Sequence, residues 1–472
     1  MAFSSLVFVC IFMPIVFLLH SVLRPIRLKN ALLIAASLLF YAFGEPVYVF
    51  LMLLSALFNY VCGLLVAGRG KKLWLALAVA VNVGVLCVFK YAGFFVETLD
   101  RLTGLSLPVP QIALPIGISF FTFQALSYVI DVYRGQTERQ KSFARLLLYI
   151  SFFPQLIAGP IVKYRDVAAE IEGRRVTLRG AAFGLRRFIW GLGKKILVAN
   201  TMAVAADFVF SLDGSSVNVL LAWIGAVAYL MQIYYDFSGY SDMAIGLGLM
   251  FGFHFRENFN YPYAAATIKD FWRRWHISLS SWFKDYVYIP LGGNRCGRLR
   301  TGLNKLTVFF LTGLWHGANW TFVVWGLFHG LFSFLEEAVP SIRKLPRFLL
   351  HLYTMLVVTA GFVIFRADDL SQAVFMLGQM FGGFRFSRLY ASLALQQLTP
   401  SFLAALALAV VGCGPLQEPI RRLRALGESG EALTAGQRLG QTALDLTAFA
   451  LLACCLLRLS GGSYNPFIYF RF

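Results

Sequence analysis

Apolar runs long enough to cross a bilayer recur from one end of this 472-residue chain to the other, separated by short basic loops. A span needs about 20 predominantly apolar residues, and inside lipid every backbone N–H and C=O must be satisfied by the chain itself. The expectation is an all-α polytopic membrane protein, not a soluble domain with an anchor. Composition agrees. Of the residues, 58% are hydrophobic and 14% charged, against about 25% charged in soluble proteins, and the mean hydropathy is +0.69. The 46 Phe, 20 Tyr and 9 Trp suit rings at headgroup level. A net charge of +19 would suggest nucleic acid in a soluble chain. Here the Lys and Arg sit between apolar runs. They point to orientation by the positive-inside rule and to anionic lipid headgroups, and nucleic acid is not an expected partner.

Taken in order, Leu6–Leu23 has no basic segment before it and no cleavage site after it, so it reads as a retained first helix. It ends at basic Arg24–Lys29, which puts the N-terminus outside. Asn30–Phe43 and Val47–Val66 flank the turn Gly44-Glu45-Pro46, and Leu73–Phe95 crosses outward to an external loop, Val96–Gln111. Ile112–Tyr133 returns. Leu146–Pro160 is apolar but only 15 residues long, holds two Pro and a Gly, and has basic flanks. A re-entrant segment fits it better than a span, and irregular backbone at that depth implies a covered, cytoplasm-facing cavity. Nine Lys and Arg follow in Lys163–Lys195. Ile196–Phe210 and Val217–Ile233 form the next pair. Tyr234–Asp242 then reads either as a helix break with a capping Asp or Ser or as a polar patch lining the cavity. Phe348–Phe365 and the cores Leu403–Val411 and Leu444–Leu457 complete a count of about eleven spans. No internal repeat or soluble domain is evident, and the seven cysteines lack disulfide or zinc spacing.

Two stretches carry chemistry. Leu311–Gly330, LTGLWHGANWTFVVWGLFHG, is apolar enough for lipid yet holds His316 and His329. Asp270–Gly293, DFWRRWHISLSSWFKDYVYIPLGG, sets His276 among arginines and tryptophans and reads as an amphipathic helix lying partly in the interface. Ionisable groups at membrane depth are costly and are kept for function or for a buried partner. The alternative for each histidine is a neutral imidazole bonded to a backbone carbonyl. If 311–330 is one helix, His316 and His329 stand ~20 Å apart along its axis, too far for one reacting centre. There is no GxSxG elbow and no metal-binding spacing such as HExxH.

The pair RRWHISLS and LTGLWHG resembles the membrane-bound O-acyltransferase family. FPQLIAGPIVKY (153–164), YYDFSGYSDMAIG (234–246), YIPLGGNR (288–295), VIFRA (363–367) and the terminal NPFIYFRF, with FSSLVF and FYAFGEP near the N-terminus, are similar to its bacterial branch typified by the membrane subunit of alginate O-acetyltransferase. The resemblance implies tilted helices ringed around a funnel, in one integral-membrane domain with N-terminal helices over 1–110, a catalytic core over 111–390 and C-terminal helices over 391–472. It implies His316 as the catalytic base, with His276 placing the acyl donor or polarising its carbonyl. Donor and cavity candidates are Arg273, Arg274, Trp315, Asn319, Tyr235, Asp236, Ser238, Lys284 and Tyr288, and no metal. Independently, acyl transfer to a hydroxyl needs a base at the nucleophile and donors at the oxyanion, and an imidazole in apolar surroundings stays neutral and able to accept a proton.

The implied reaction moves an acyl group, foremost acetyl, from a cytoplasmic thioester such as acetyl-CoA across the bacterial inner membrane. The acceptor is an exported or cell-surface polysaccharide such as alginate, reached with a periplasmic or extracellular acetyltransferase partner. D-alanyl or another acyl transfer to teichoic acid or peptidoglycan is the alternative. A transporter would explain intramembrane His and Asp but calls for paired interrupted segments in two halves. A scaffold would leave His276 and His316 without a role.

Overall fold

In a computed structural model, residues 2–295, 297–339, 341–429, 434–462, 464–466 and 468 are described. Among them every regular element is helical. Five helices are long and apolar enough to cross a membrane: Tyr48–Leu65, Lys71–Thr103, Val219–Met250, Arg347–Arg366 and Ala435–Ser460. A sixth span results if the pair Arg388–Gln397 and Pro400–Gly412, bent by 65°, counts as one. The protein is thus an all-α, multi-pass membrane protein. The helix expected to end at Phe95 runs on to Thr103, where Gly104 stops it in the left-handed region (φ 68°).

The chain divides into two compact units, residues 1–188 with 241–256, and residues 189–240 with 257–472. The first has a core of phenylalanine rings, Phe3, Phe8, Phe40 and Phe153, with centroids 4.9–6.5 Å apart. The short run 146–160 lies inside it as two helices, Phe143–Ser151 and Phe153–Leu156, followed by irregular chain. All of 146–160 is buried, as irregular backbone at membrane depth requires.

The second unit holds both unusual stretches. Its relevant helices are Asn200–Ser211 (α1), Val219–Met250 (α2, shared with the first unit), Ile268–Arg274 (α3), Ile277–Phe283 (α4), Arg298–His316 (α5), Trp320–Ala338 (α6) and Arg347–Arg366 (α7). The helix break expected at Tyr234–Asp242 does not occur, because α2 runs through it without interruption. The charge that suggested a break is satisfied sideways: Asp236 is paired at 2.6 Å with Lys195, both nearly fully buried. Asp236 also accepts from the backbone N of Ile468 at 2.9 Å, while the Lys195 ammonium donates to the Pro466 carbonyl.

The run that carries His316 and His329, by contrast, is not one helix. It is a hairpin of α5 and α6 broken at 317–319. Gly317 is extended (φ −170°), and Asn319 caps α6 by accepting from the backbone N of Thr321 at 3.0 Å. The two helices touch backbone to backbone through glycines. A Cβ on Gly313 would stand 2.3 Å from the Phe322 carbonyl oxygen, and one on Gly326 would stand 2.3 Å from that of Phe309. Small residues at such crossings let helices approach where lipid supplies no hydrophobic drive.

Candidate active site

The hairpin turn places His316 at the last position of α5. Its ring is buried and meets three aromatic neighbours edge-on: Trp315 at 4.9 Å, Trp325 at 5.1 Å and Phe365 at 5.2 Å between centroids. It lines a small cavity of ≈ 20 Å³ with Ile233, Phe237, Trp275, Trp325, Phe362, Phe365 and Ile468. Among the described residues, His316 is the one ionisable side chain on that wall.

His276 arrives from the α3–α4 turn. It stands at the N-cap of α4 with φ 45° and ψ 55°, a left-handed conformation that costs a residue with a Cβ ~1–2 kcal/mol. Strain of that kind is kept where the surroundings over-determine it. The reading of 270–293 as an amphipathic helix lying partly in the interface is corrected here, since the His276 side chain is wholly buried. Trp275 and Trp282, expected at the membrane interface, are also buried and Trp272 is half-buried. They are packed because α3 and α4 fold as two short helices joined at His276 instead of one amphipathic rod.

Asn258 holds His276. Its Oδ1 lies 3.2 Å from His276 Nδ1 and also accepts from Ser278 N at 3.2 Å and Ser278 Oγ at 2.9 Å. An amide oxygen can only accept, so Nδ1 carries the hydrogen, and in the neutral ring Nε2 is a bare lone pair. That Nε2 is buried and makes no hydrogen bond. The ring packs against Phe237 at 4.5 Å and against Trp315 at 6.0 Å. Trp315 therefore touches both His276 and His316.

His329 is wholly buried among rings, 5.2 Å from Trp272, 5.3 Å from Trp325 and 5.6 Å from Phe328. Neither ring nitrogen is hydrogen-bonded. Because the hairpin folds back, His316 and His329 flank the same Trp325. They are much closer than the ~20 Å of a continuous helix. An indole still separates them.

The other candidates scatter. Tyr235 donates to the Ala409 carbonyl at 2.7 Å and so ties α2 to Pro400–Gly412. Asp236 is committed to Lys195 and Ile468. Ser238 is buried, and its hydroxyl makes no hydrogen bond. None of these three lines the His316 chamber or the larger polar cavity described below. Arg273 and Lys284 are exposed, Tyr288 is half-buried, and Arg274 pairs with Asp270 at 3.0 Å. These four also lie off both cavities. Among the described residues no group of three or more His, Cys, Asp or Glu is arranged to hold a metal.

Asn319 does face a cavity. This is a larger, polar one of ≈ 200 Å³ whose walls include Asp207, Tyr229, Gln232, Asn319, Thr321, Phe322, Phe365, Arg366 and Ile468. Phe365 and Ile468 line both cavities. Sequence reasoning passed over Asp207, Gln232 and Arg366 as site residues. An arginine at the end of the apolar run 348–365 was the available signal.

With this geometry in hand, the similarities to known proteins can be read. The model of the membrane-bound O-acyltransferase family matches residues 136–367, which contain both histidines of the site. The chain is 41% identical, over the whole length of both, to a protein of Azotobacter vinelandii named probable alginate O-acetylase AlgI. It is 38% identical over 80% of each chain to a peptidoglycan O-acetyltransferase of Helicobacter pylori. It is 30% identical to a teichoic acid D-alanyltransferase of Bacillus subtilis, over 53% of this chain and 67% of that protein. The chain belongs to the membrane-bound O-acyltransferase family and is a multi-pass O-acyltransferase.

Proposed function

We propose that this chain takes an acetyl group from a cytoplasmic thioester, acetyl-CoA or a close equivalent, and delivers it across the bacterial inner membrane for O-acetylation of an exported polysaccharide. Alginate is the polymer favoured by the full-length relatives. A periplasmic or extracellular acetyltransferase is the expected partner. The observation that carries the reading is His316 on the wall of a chamber whose other described lining residues are apolar and aromatic. In such a chamber an imidazole is an effective base, and water does not compete for the acyl group.

In the reaction, His316 takes the proton of the acceptor hydroxyl as its oxygen bonds to the thioester carbonyl carbon. The tetrahedral intermediate collapses, the C–S bond breaks, and the thiolate leaves with the proton held on His316. His276 has a defined part. With Nδ1–H given to Asn258, its bare Nε2 accepts and does not donate. That favours holding an O–H or N–H of a substrate over polarising a carbonyl. Arg273, Arg274 and Lys284 offer exposed or half-exposed cations for the donor's phosphates on the basic side of the chain.

The wild-type protein in proteoliposomes should cleave acetyl-CoA and release free thiol, faster when a polysaccharide acceptor is supplied. Absence of thioester cleavage under all acceptor conditions would remove the reading. The 30% identity to a teichoic acid D-alanyltransferase supports a second acyl group, and the same assay run with a D-alanyl thioester decides between them.

A further inference from the structure

Glu336 is a buried acid that the reaction above does not use. It lies near the end of α6 farthest from His316 and is 1% exposed. Arg300 and Lys305 on α5 and Lys344 and Arg347 before and in α7 gather at that end, and Lys305 pairs with the neighbouring Glu337. By charge bias it is the cytoplasmic end of these helices. A carboxylate buried in a membrane bundle is costly. Stability alone does not call for it, because a buried charge often holds a fold no better than a well-packed apolar residue. Its best-attested use is to fix the register of one element on another.

The element that Glu336 holds is α3, which leads directly into His276. Glu336 Oε1 accepts from the backbone N of Ile268 at 2.7 Å, and Oε2 accepts from that of Lys269 at 3.3 Å. The next backbone N, of Asp270, donates to Thr267 Oγ1 at 3.0 Å. Further along, α3 lies on α6 through rings. Trp272 is 5.2 Å from His329 and 5.7 Å from Trp325, and Phe271 is 6.4 Å from His329 between centroids. Apolar contacts of this kind are non-directional and by themselves leave α3 free to slip along α6. The carboxylate is directional, and it grips backbone. Beyond the turn, the Asn258 carbonyl accepts from Ile277 N and the Arg274 carbonyl from Asn260 N, both at 2.9 Å. His276, left-handed at φ 45°, thus sits between two fixed points, as a strained residue requires. Since α6 begins at Trp320, just past His316, Glu336 ties the helix that leads to His276 to the hairpin that carries His316.

We infer that Glu336 is a positioning residue for acyl transfer: its carboxylate sets the register of α3 on α6 and, through it, the placement of His276 relative to His316. The inference rests on the proposed reaction and adds a residue that touches neither substrate nor reacting atoms. Acetyl-CoA cleavage in proteoliposomes, expressed per amount of protein that elutes as a folded species, tests it. Glu336→Ala should lower the rate roughly 10- to 100-fold, the scale of a small misplacement of reacting groups, and no further than His276→Ala. Glu336→Gln keeps an acceptor for Ile268 N and should recover the rate to within roughly 2- to 10-fold of wild type. Glu337→Gln removes the adjacent, partly exposed carboxylate, which pairs with Lys269 at 3.6 Å, and should stay near wild type. In a His276→Ala background Glu336→Ala should add little, because it acts through that residue. A folded Glu336→Ala protein with the wild-type rate, a loss that multiplies in full with that of His276→Ala, or an equal loss in Glu337→Gln overturns the positioning role and leaves the proposed function standing. If Glu336→Ala yields no folded protein, Glu336→Gln in the two backgrounds decides. A loss that vanishes beside His276→Ala supports the role, and an equal loss in both, or none, overturns it. A wild-type protein that cleaves no acetyl-CoA takes both readings down.

Discussion

Asn258→Ala should separate the positioning of His276 from the fold that surrounds it. Asn258 is wholly buried, and its single oxygen serves His276 Nδ1, Ser278 N and Ser278 Oγ at 2.9–3.2 Å. Truncation strands these donors in a dry interior, where an unsatisfied group costs about 1–3 kcal/mol. The Ser278 hydroxyl can rotate to another acceptor, so the expected loss is about 2–4 kcal/mol, short of the full sum. It is read as reduced resistance to denaturant in detergent. The kinetic effect works through His276. Once Nδ1 loses its acceptor, the imidazole is free to place its hydrogen on either nitrogen, and Nε2 is no longer reliably bare. Acyl transfer should fall roughly 10-fold or more, but no further than in His276→Ala. The double variant should then be little worse than His276→Ala alone, because the two residues act as one unit. Losses that multiply would show that Asn258 acts independently of His276 and would refute the tautomer argument.

Other consequences concern packing, charge and orientation. His329→Ala should cost about 2–4 kcal/mol through the cavity it leaves, whereas His329→Phe should stay within about 1.5 kcal/mol, since neither ring nitrogen is bonded. Both should keep acyl transfer within a few-fold, and a large loss in His329→Phe would give His329 a chemical role. Gly313→Val and Gly326→Val should each abolish a folded product in size-exclusion chromatography, since even a Cβ would stand 2.3 Å from a facing carbonyl. Normal elution of either would contradict the hairpin packing. Asp236→Ala leaves Lys195 buried without its counter-charge and should cost about 3–5 kcal/mol, checked by denaturant titration. Single cysteines at Leu345 and Asp369, in a cysteine-free background, should label from opposite sides of intact cells, and Lys141→Cys and Lys163→Cys from the same side. The reverse pattern would invert the orientation.

The helical, membrane-spanning character was legible because lipid leaves a chain few options, and 58% hydrophobic residues announce it. His316 stood out for the same reason, as one of two histidines in an otherwise non-ionisable apolar run, and the fold sets it on the wall of an apolar chamber. What escaped depends on partners distant in sequence. Tyr234–Asp242 looked like a break because Asp236 seemed stranded, but its counter-charge is Lys195 on the preceding helix. Asp270–Gly293 looked interfacial because its arginines and tryptophans alternate. The left-handed turn at His276 sends the tryptophans inward and leaves Arg273 exposed. The Gly-Ala-Asn break after His316 was readable as a cap, and the apolarity on both sides hid it. Gln232 gave no local signal, being one amide in an apolar run that the fold alone brings to the same cavity wall as Thr321 and Arg366. The carry-over of NPFIYFRF is tested least, because Phe467 and 469–472 lie outside the described residues.

The central claim is that His316 performs the proton transfer of acyl delivery. Its most direct test is the acetyl content of exported polysaccharide made in cells carrying His316→Ala, matched to wild type for membrane abundance and melting. The expected result is a fall of roughly 10²–10⁴-fold with yield and melting nearly unchanged, because His316 ends a helix at the hairpin turn and packs edge-on against three rings that also pack on one another. Near wild-type acetylation by a normally folded His316→Ala protein would contradict the account.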